Sequence, residues 1–242
     1  MRDVLFRCSS LGHLMTEPKT RAEGDLSIGA RTYLRNLVKQ EIFSVDFEAG
    51  GREIEKGLRM EAEGIALLNK VRGWNLAKNT ERRTLGLLTG ECDLFNPPRR
   101  RGHDIKASWS IRTFPGWVAD CINPLYEWQM RGYMRLWDAD AWEVNYVLVD
   151  TPDDLIRDEP LELHVVDHIQ PHLRVTTWEL ERDYQKESLI QLRLEAARAH
   201  YDELVHEFAE LHRKDVIDVQ ARTAAPPPAP RRNAVQLPTL FS

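Results

Sequence analysis

Apolar residues recur at helical spacing through LSIGARTYLRNLVKQEIF (26–43), and Ser9 or Ser10 can cap the short segment LGHLM before it. A second stripe, Ile54, Leu58, Ile65 and Leu68, steps by four, seven and three and predicts a long helix over 52–71. TLGLLTGECDLF (84–95) and HDIKAS (103–108) predict two strands joined by the loop NPPRRRG. NPLYEWQMRGYMRLW opens with Asn-Pro, a cap and first-turn pair, and predicts a helix. AWEVNYVLVD and LELHVVDHI alternate as strands, and the chain then predicts a helix from about Thr177 to Val219. Tyr201, Leu204, Val205, Phe208 and Leu211 form the stripe of that helix. TAAPPPAPRRNAV breaks the pattern and predicts a stiff, extended tether. The organisation expected is an α/β domain over 1–222, a central mixed sheet flanked by helices with a long C-terminal helix. A Pro/Ala-rich tether (223–235) and a short terminal motif (236–242) follow.

Composition narrows the function. The 242 residues carry a net charge of −5, with 42% hydrophobic and 29% charged residues. A polycation is excluded, so a nucleic-acid site must be a local basic patch on an acidic body. No apolar run of about 18 residues spans a bilayer, and MRDVLFRCSS lacks a signal-peptide core. Cys8, Cys92 and Cys121 are far apart, with no zinc or iron–sulfur spacing, and read as reduced thiols of a cytoplasmic protein.

The chemistry gathers around GHDIKAS. In a strand, Asp104 and Lys106 share a face and Ile105 takes the other. Alone, that is a solvated ion pair. The preceding strand supplies Asp93 across a short loop, so two carboxylates converge beside Lys106, the oxygen-rich site that magnesium favours. Gly90 leaves room for a ligand to approach the backbone. The position completing the 52–71 stripe holds Glu61, and a carboxylate on an apolar face is costly unless something binds it. Gln129 and Tyr133 share one face of the following helix.

Taken together, Gly90-x-x-Asp93, Asp104-Ile105-Lys106 and Gln129-x-x-x-Tyr133 resemble the signature of the RecB-like branch of the PD-(D/E)XK nucleases. KGLRMEAEG, with Glu61, and the opening CSSLGHLMTE resemble the lambda-type and YqaJ-like phage exonucleases; the likeness covers roughly residues 8 to 150. The departure is Asp104, where lambda-type enzymes more often have Glu. The resemblance implies a restriction-endonuclease-like core. It implies Mg2+, with Mn2+ substituting, held by Asp93, Asp104 and the Ile105 carbonyl, with Glu61 contributing directly or through water. Lys106 then orients the attacking water or stabilises the transition state, Gln129 fixes the site or touches DNA, and Tyr133 supports it. Arg99, Arg100 and Arg101 at the hairpin tip are candidates to grip phosphates, a solvated turn being the other reading, and Arg82 and Arg83 are similar candidates.

The function implied is a phage-type exonuclease acting on linear duplex DNA ends, 5′ to 3′, in recombination or end resection. It implies a homo-oligomer working with a single-strand annealing protein. The alternatives are a structure-specific or restriction-like endonuclease on the same fold and a non-catalytic DNA-binding or clamp-tethered adaptor. His164, His168 and His172 are not expected to converge on a metal. In QLPTLFS, residues Gln236, Leu237, Leu240 and Phe241 resemble the peptides that bind a bacterial sliding clamp; folding back on the domain, or another partner, remain the other readings.

Overall fold

The computed structural model describes residues 4–47 and 50–212. Its helices are α1 (Leu11–Leu14), α2 (Ile28–Phe43), α3 (Arg52–Arg59), α4 (Glu61–Arg72), α5 (Pro124–Trp137), α6 (Asp153–Ile156) and α7 (Tyr184–His212). Its strands are β1 (Phe6–Arg7), β2 (Arg82–Leu85), β3 (Leu88–Glu91), β4 (Leu94–Asn96), β5 (Arg101–Ala107), β6 (Ala141–Val147) and β7 (Val175–Glu181). Local signals account for the helix starts. Ser27 accepts the Ala30 N–H at 3.1 Å ahead of α2, and Asn123 accepts that of Leu125 at 2.9 Å ahead of α5, where Pro124 needs no donor.

The strands form two mixed sheets, ordered β1-β3-β2 and β4-β5-β6-β7. β5 and β6 run parallel at the centre of the larger sheet, with β4 and β7 antiparallel at its edges. One face of that sheet receives α4: Ile65 and Leu68 pack with Leu94 and Ile105, and Leu67 with Val147 and Val149. The other face carries Trp142 and Val144 into the main core with Met130, Tyr133 and Met134 of α5, backed by α1, α2 and α7. Trp137 and Trp142 are core residues. The α7 stripe buries Tyr201 and Leu204 but leaves Leu211 exposed.

Four expectations are corrected. The single strand over 84–95 is three short ones. Gly86, at φ +59, turns the chain so that β2 folds back on β3, and a break at Cys92 and Asp93 then carries it from the smaller sheet to the larger. Apolar residues on both sides of Gly86 hid the turn. The helix over 52–71 breaks at Met60 (φ −103, ψ 10). Ile54 and Leu58 are 51% and 74% exposed, because Lys56, not the apolar stripe, turns α3 inward. LELHVVDHI is not a strand. Leu161–Leu163 form a 3-10 turn, and buried His164 bonds Thr151 Oγ1 at 3.1 Å and Glu159 Oε2 at 3.3 Å. Residues 177–181 belong to β7, where a Val-Thr-Thr start suits a pleated strand, and the helix begins only at Tyr184.

The tether and the terminal motif, with Gln236, Leu237, Leu240 and Phe241, lie outside the described residues. Cys8, Cys92 and Cys121 are free thiols, all buried. Among the described residues, no helix is long and apolar enough to cross a membrane.

Candidate active site

Asp104 and Lys106 lie on the face of β5 that meets α5, and their side chains pair at 2.8 Å. The contact is an ion pair rather than a directed hydrogen bond: Asp104 Oδ2 is buried without a hydrogen-bond partner. Lys106 Nζ also lies 4.5 Å from the centroid of the Tyr126 ring on α5. Burial disfavours the Lys106 charge, but the adjoining Asp104 carboxylate more than offsets this and its pKa is raised.

Asp93 sits at the break between β3 and β4. The antiparallel register of β4 on β5 runs Asn96↔Arg101 to Leu94↔His103, and its continuation sets Asp93 opposite Asp104. There the ladder stops, and the Asp93 side chain replaces it: Oδ2 accepts the Ile105 N–H at 2.6 Å. In a strand, the N–H and C=O of one residue face the same neighbour. The Ile105 carbonyl therefore also faces the Asp93 side, beyond the end of β4. Burial and the Asp104 charge push the Asp93 pKa up to about 7. Asp93, Asp104 and the Ile105 carbonyl, beyond the end of β4, form an oxygen-rich donor set.

The third acid arrives on α4. Gly64 lets that helix lie close to the sheet; a Cβ there would come within 3.0 Å of both Ile105 Cγ2 and Val147 Cγ2. Glu61, one turn earlier, is thereby brought near enough for its charge to act on Asp93. Its Oε2 accepts from Lys78 Nζ at 2.5 Å. Among the described residues, no three His, Cys, Asp or Glu side chains are gathered as a ready-made metal site. The donors that do fit a hard divalent cation are Asp104, whose buried Oδ2 meets Lys106 as an ion pair but has no hydrogen-bond partner, Asp93 and the Ile105 carbonyl, with Glu61 available from α4.

Gln129 and Tyr133 support this arrangement from α5. Gln129 Nε2 donates to Tyr133 Oη at 3.2 Å, and that hydroxyl donates to the Glu91 carbonyl at 3.0 Å, two residues before Asp93. Burial and the Asp104 charge raise the Tyr133 pKa, which keeps the phenol a donor. Gly90 serves this packing and not a ligand: a Cβ there would meet Cys8 Sγ at 2.8 Å and Tyr133 Cε1 at 2.9 Å.

The arginines divide. Arg100 is forked between Asp138 and Asp140, and Arg101 between Glu143 and Glu179. Arg82 pairs with Glu91, and Arg83 with Glu81 while lying over Trp137. Arg99 is exposed and, among the described residues, has only the Trp74 ring, 5.8 Å away.

Sequence reasoning missed three residues. Tyr126 lies on the Gln129–Tyr133 face of α5, so periodicity could have found it. Lys78 lies in an unpatterned connection. Lys56 is fully buried, and its Nζ donates to the carbonyls of Ser108 (2.7 Å), Trp109 (3.0 Å) and Val149 (2.9 Å) and to Thr151 Oγ1 (2.8 Å). All four acceptors lie at the ends of β5 and β6, so Lys56 fixes α3 there and, five residues on, Glu61. No local signal marks a lysine whose acceptors are all distant in sequence.

No protein-family model matches the chain, and no curated protein matches it. Among solved structures it is similar to a phage-related exonuclease from Haemophilus somnus 129PT. The two share 34% identity over 86% of this chain and 97% of that one, with a TM-score of 0.81. It is also similar to an alkaline exonuclease from Laribacter hongkongensis, at 16% identity over 91% and 95% with a TM-score of 0.60; that likeness shows the fold alone. The paired acids and Lys106 on a mixed sheet thus sit in a frame shared along nearly the whole of a 34% identical relative, and the chain belongs to the family of phage-related, lambda-type exonucleases with the PD-(D/E)XK nuclease fold.

Proposed function

We propose that this nuclease is a magnesium-dependent exonuclease that degrades linear duplex DNA from its ends, 5′ to 3′, in recombination or end resection, with manganese able to substitute. The observation that carries the reading is the convergence of Asp93 and Asp104 beside the Ile105 carbonyl and Lys106. Asp93, Asp104 and that carbonyl would hold the cation, with Glu61 joining from α4. The chemistry such a cation would supply is a lowered pKa for a bound water and neutralised charge on the scissile phosphate. Lys106, aligned by Asp104 and Tyr126, would orient the attacking water or stabilise the transition state with its positive charge. Tyr133 and Gln129 keep the β3–β4 break, and hence Asp93, in register with β5.

The test is purified protein on end-labelled linear duplex and on covalently closed circular DNA, with magnesium, manganese or EDTA. Loss of the linear duplex alone, only with a cation, supports the reading, and the order of label release gives the polarity. Linearisation of the closed circle at a comparable rate replaces it with the endonuclease reading. Full activity in EDTA removes the metal site.

The clamp reading of Gln236, Leu237, Leu240 and Phe241 rests on the sequence alone. Deleting residues 236–242 is expected to leave cleavage of short DNA intact. Calorimetry of that peptide against a bacterial sliding clamp tests the binding, with micromolar affinity, about −8 kcal/mol, expected. Assembly into a homo-oligomer and work beside a single-strand annealing protein are likewise proposals, from the family resemblance; sedimentation and co-purification test them.

A further inference from the structure

Lys78 is held against the site by backbone contacts on both sides. Two residues before it, Leu76 is clamped to α4: Asn69 Nδ2 donates to its carbonyl at 2.9 Å, and Asn69 Oδ1 accepts its N–H at 3.1 Å. One residue after it, the Asn79 N–H donates to the Asp93 carbonyl at 2.7 Å, and Asn79 Nδ2 donates to the Cys92 carbonyl at 3.1 Å. The segment therefore joins the helix that carries Glu61 to the strand break that carries Asp93. Lys78 Nζ closes on Glu61 Oε2 at 2.5 Å, with the Lys78 side chain 49% exposed and that of Glu61 24%.

The two lysines of the centre differ in freedom. Lys106 is fixed by Asp104 and the Tyr126 ring and is 23% exposed. Lys78 has a flexible four-carbon stem, half in solvent, and among the described residues its ion pair is with a single acid. An incoming DNA phosphate meets the negative charge of Glu61, Asp93 and Asp104 and gains from any cation free to meet it. Glu61 cannot give its full charge to Lys78 and to a divalent cation at once.

We propose that Lys78 is a phosphate-binding residue of this centre held in reserve by Glu61: engagement of Glu61 by a divalent cation frees the ammonium to take a backbone phosphate of the bound strand. The proposal rests on the metal-dependent nuclease reading above. It makes cation and DNA binding mutually reinforcing, because a coupling between two sites is reciprocal.

The experiment uses the full chain, with calcium as a hard, oxygen-seeking probe cation. The affinity for a labelled linear duplex is measured across a salt series, with and without calcium, for the wild type, Lys78→Met and Lys78→Arg. Without calcium the three salt slopes are expected to coincide. With calcium, the wild type and Lys78→Arg are expected to be steeper than Lys78→Met by about one unit, the loss of one phosphate contact. Calorimetry without DNA should show calcium binding several-fold more tightly to Lys78→Met, because Glu61 no longer has a competing partner. A Lys78→Met slope that is flatter in both conditions overturns the reserve, since the contact then exists without the cation. Equal slopes in both conditions overturn the phosphate contact. Failure of the nuclease reading is seen separately, as a wild type that cuts no DNA with magnesium or manganese.

Discussion

Asp93 Oδ2 accepts the Ile105 N–H at 2.6 Å, so a single carboxylate both closes the sheet where β4 ends and faces the second acid, Asp104. The structural duty needs an acceptor. The chemical duty needs a charge. The two can be separated by substitution.

Asp93→Asn keeps the acceptor and removes the charge. Cleavage is expected to fall by about 100-fold or more, as when a single electrostatic group is lost from an active site. Stability of the metal-free protein is expected to rise. An acid whose folded pKa is raised from 3.8 to about 7 binds its proton more tightly folded than unfolded. Its effect is nil below the ordinary value, and stability is lost as pH climbs from there towards 7. The gain of Asp93→Asn over the wild type should therefore be small near pH 4 and reach several degrees in Tm above pH 7, to order of magnitude. Thermal melts in EDTA across that range check it; a gain that does not grow with pH contradicts the raised pKa.

Lys106→Met leaves Asp104, 2% exposed, without its ion-pair partner. Removing one member of a buried pair typically costs about 3 kcal/mol, while removing both is close to neutral. Lys106→Met is expected to be destabilised in EDTA and inactive. Adding Asp104→Asn should restore most of the stability and none of the activity. Cleavage by Lys106→Met at the wild-type rate would remove the lysine from the mechanism.

Lys56→Met strips the common donor from three carbonyls and one hydroxyl at the ends of β5 and β6. Buried acceptors left unsatisfied cost about 1–3 kcal/mol each, so a large drop in Tm is expected. Lys56→Arg, too bulky for the same pocket, should fall between. Because Lys56 positions Glu61, calcium affinity measured below the melting transition should weaken along with stability. Unchanged affinity in a folded Lys56→Arg would confine the lysine to a stabilising role.

How much of this was legible follows from which forces are local. Asn123 and Pro124 write a helix start into adjacent residues, and Asp104 and Lys106 share a face by strand geometry alone. The Asp93–Asp104 pairing needed only a short hairpin. What stayed hidden depends on contacts between distant segments. Lys56 lies within the apparent stripe of Ile54 and Leu58, and nothing near it announces that four acceptors some 50 to 95 residues on will bury it instead. Residues 161–169 alternate like a strand, but the polar needs of His164, met by Thr151 and Glu159, fold them into turns. The Arg99–Arg101 run reads as one basic patch because the acids that take up its second and third members come from Asp138 onward.

That division gives the last prediction. Arg100 holds Asp138 and Asp140, and Arg101 holds Glu143 and Glu179, so each guanidinium already meets the protein's own carboxylates. Arg99, at the hairpin tip, is exposed and among the described residues lies only against the Trp74 ring. Carboxylates that already neutralise a cation leave little counterion release for DNA to gain, whereas an unpaired arginine contributes nearly a full unit to the salt dependence of binding. Arg99→Ala is therefore expected to flatten the slope of log affinity against log salt by about one unit and to leave Tm unchanged. Arg100→Ala and Arg101→Ala are expected to lower Tm, by loosening the β4–β5 hairpin from β6 and β7, with little change in slope. Binding titrations and melts of the three single variants decide it. Equal slope losses at all three positions would mean that the ion pairs open to meet DNA, and would return the whole run to the phosphate-gripping role expected from the sequence.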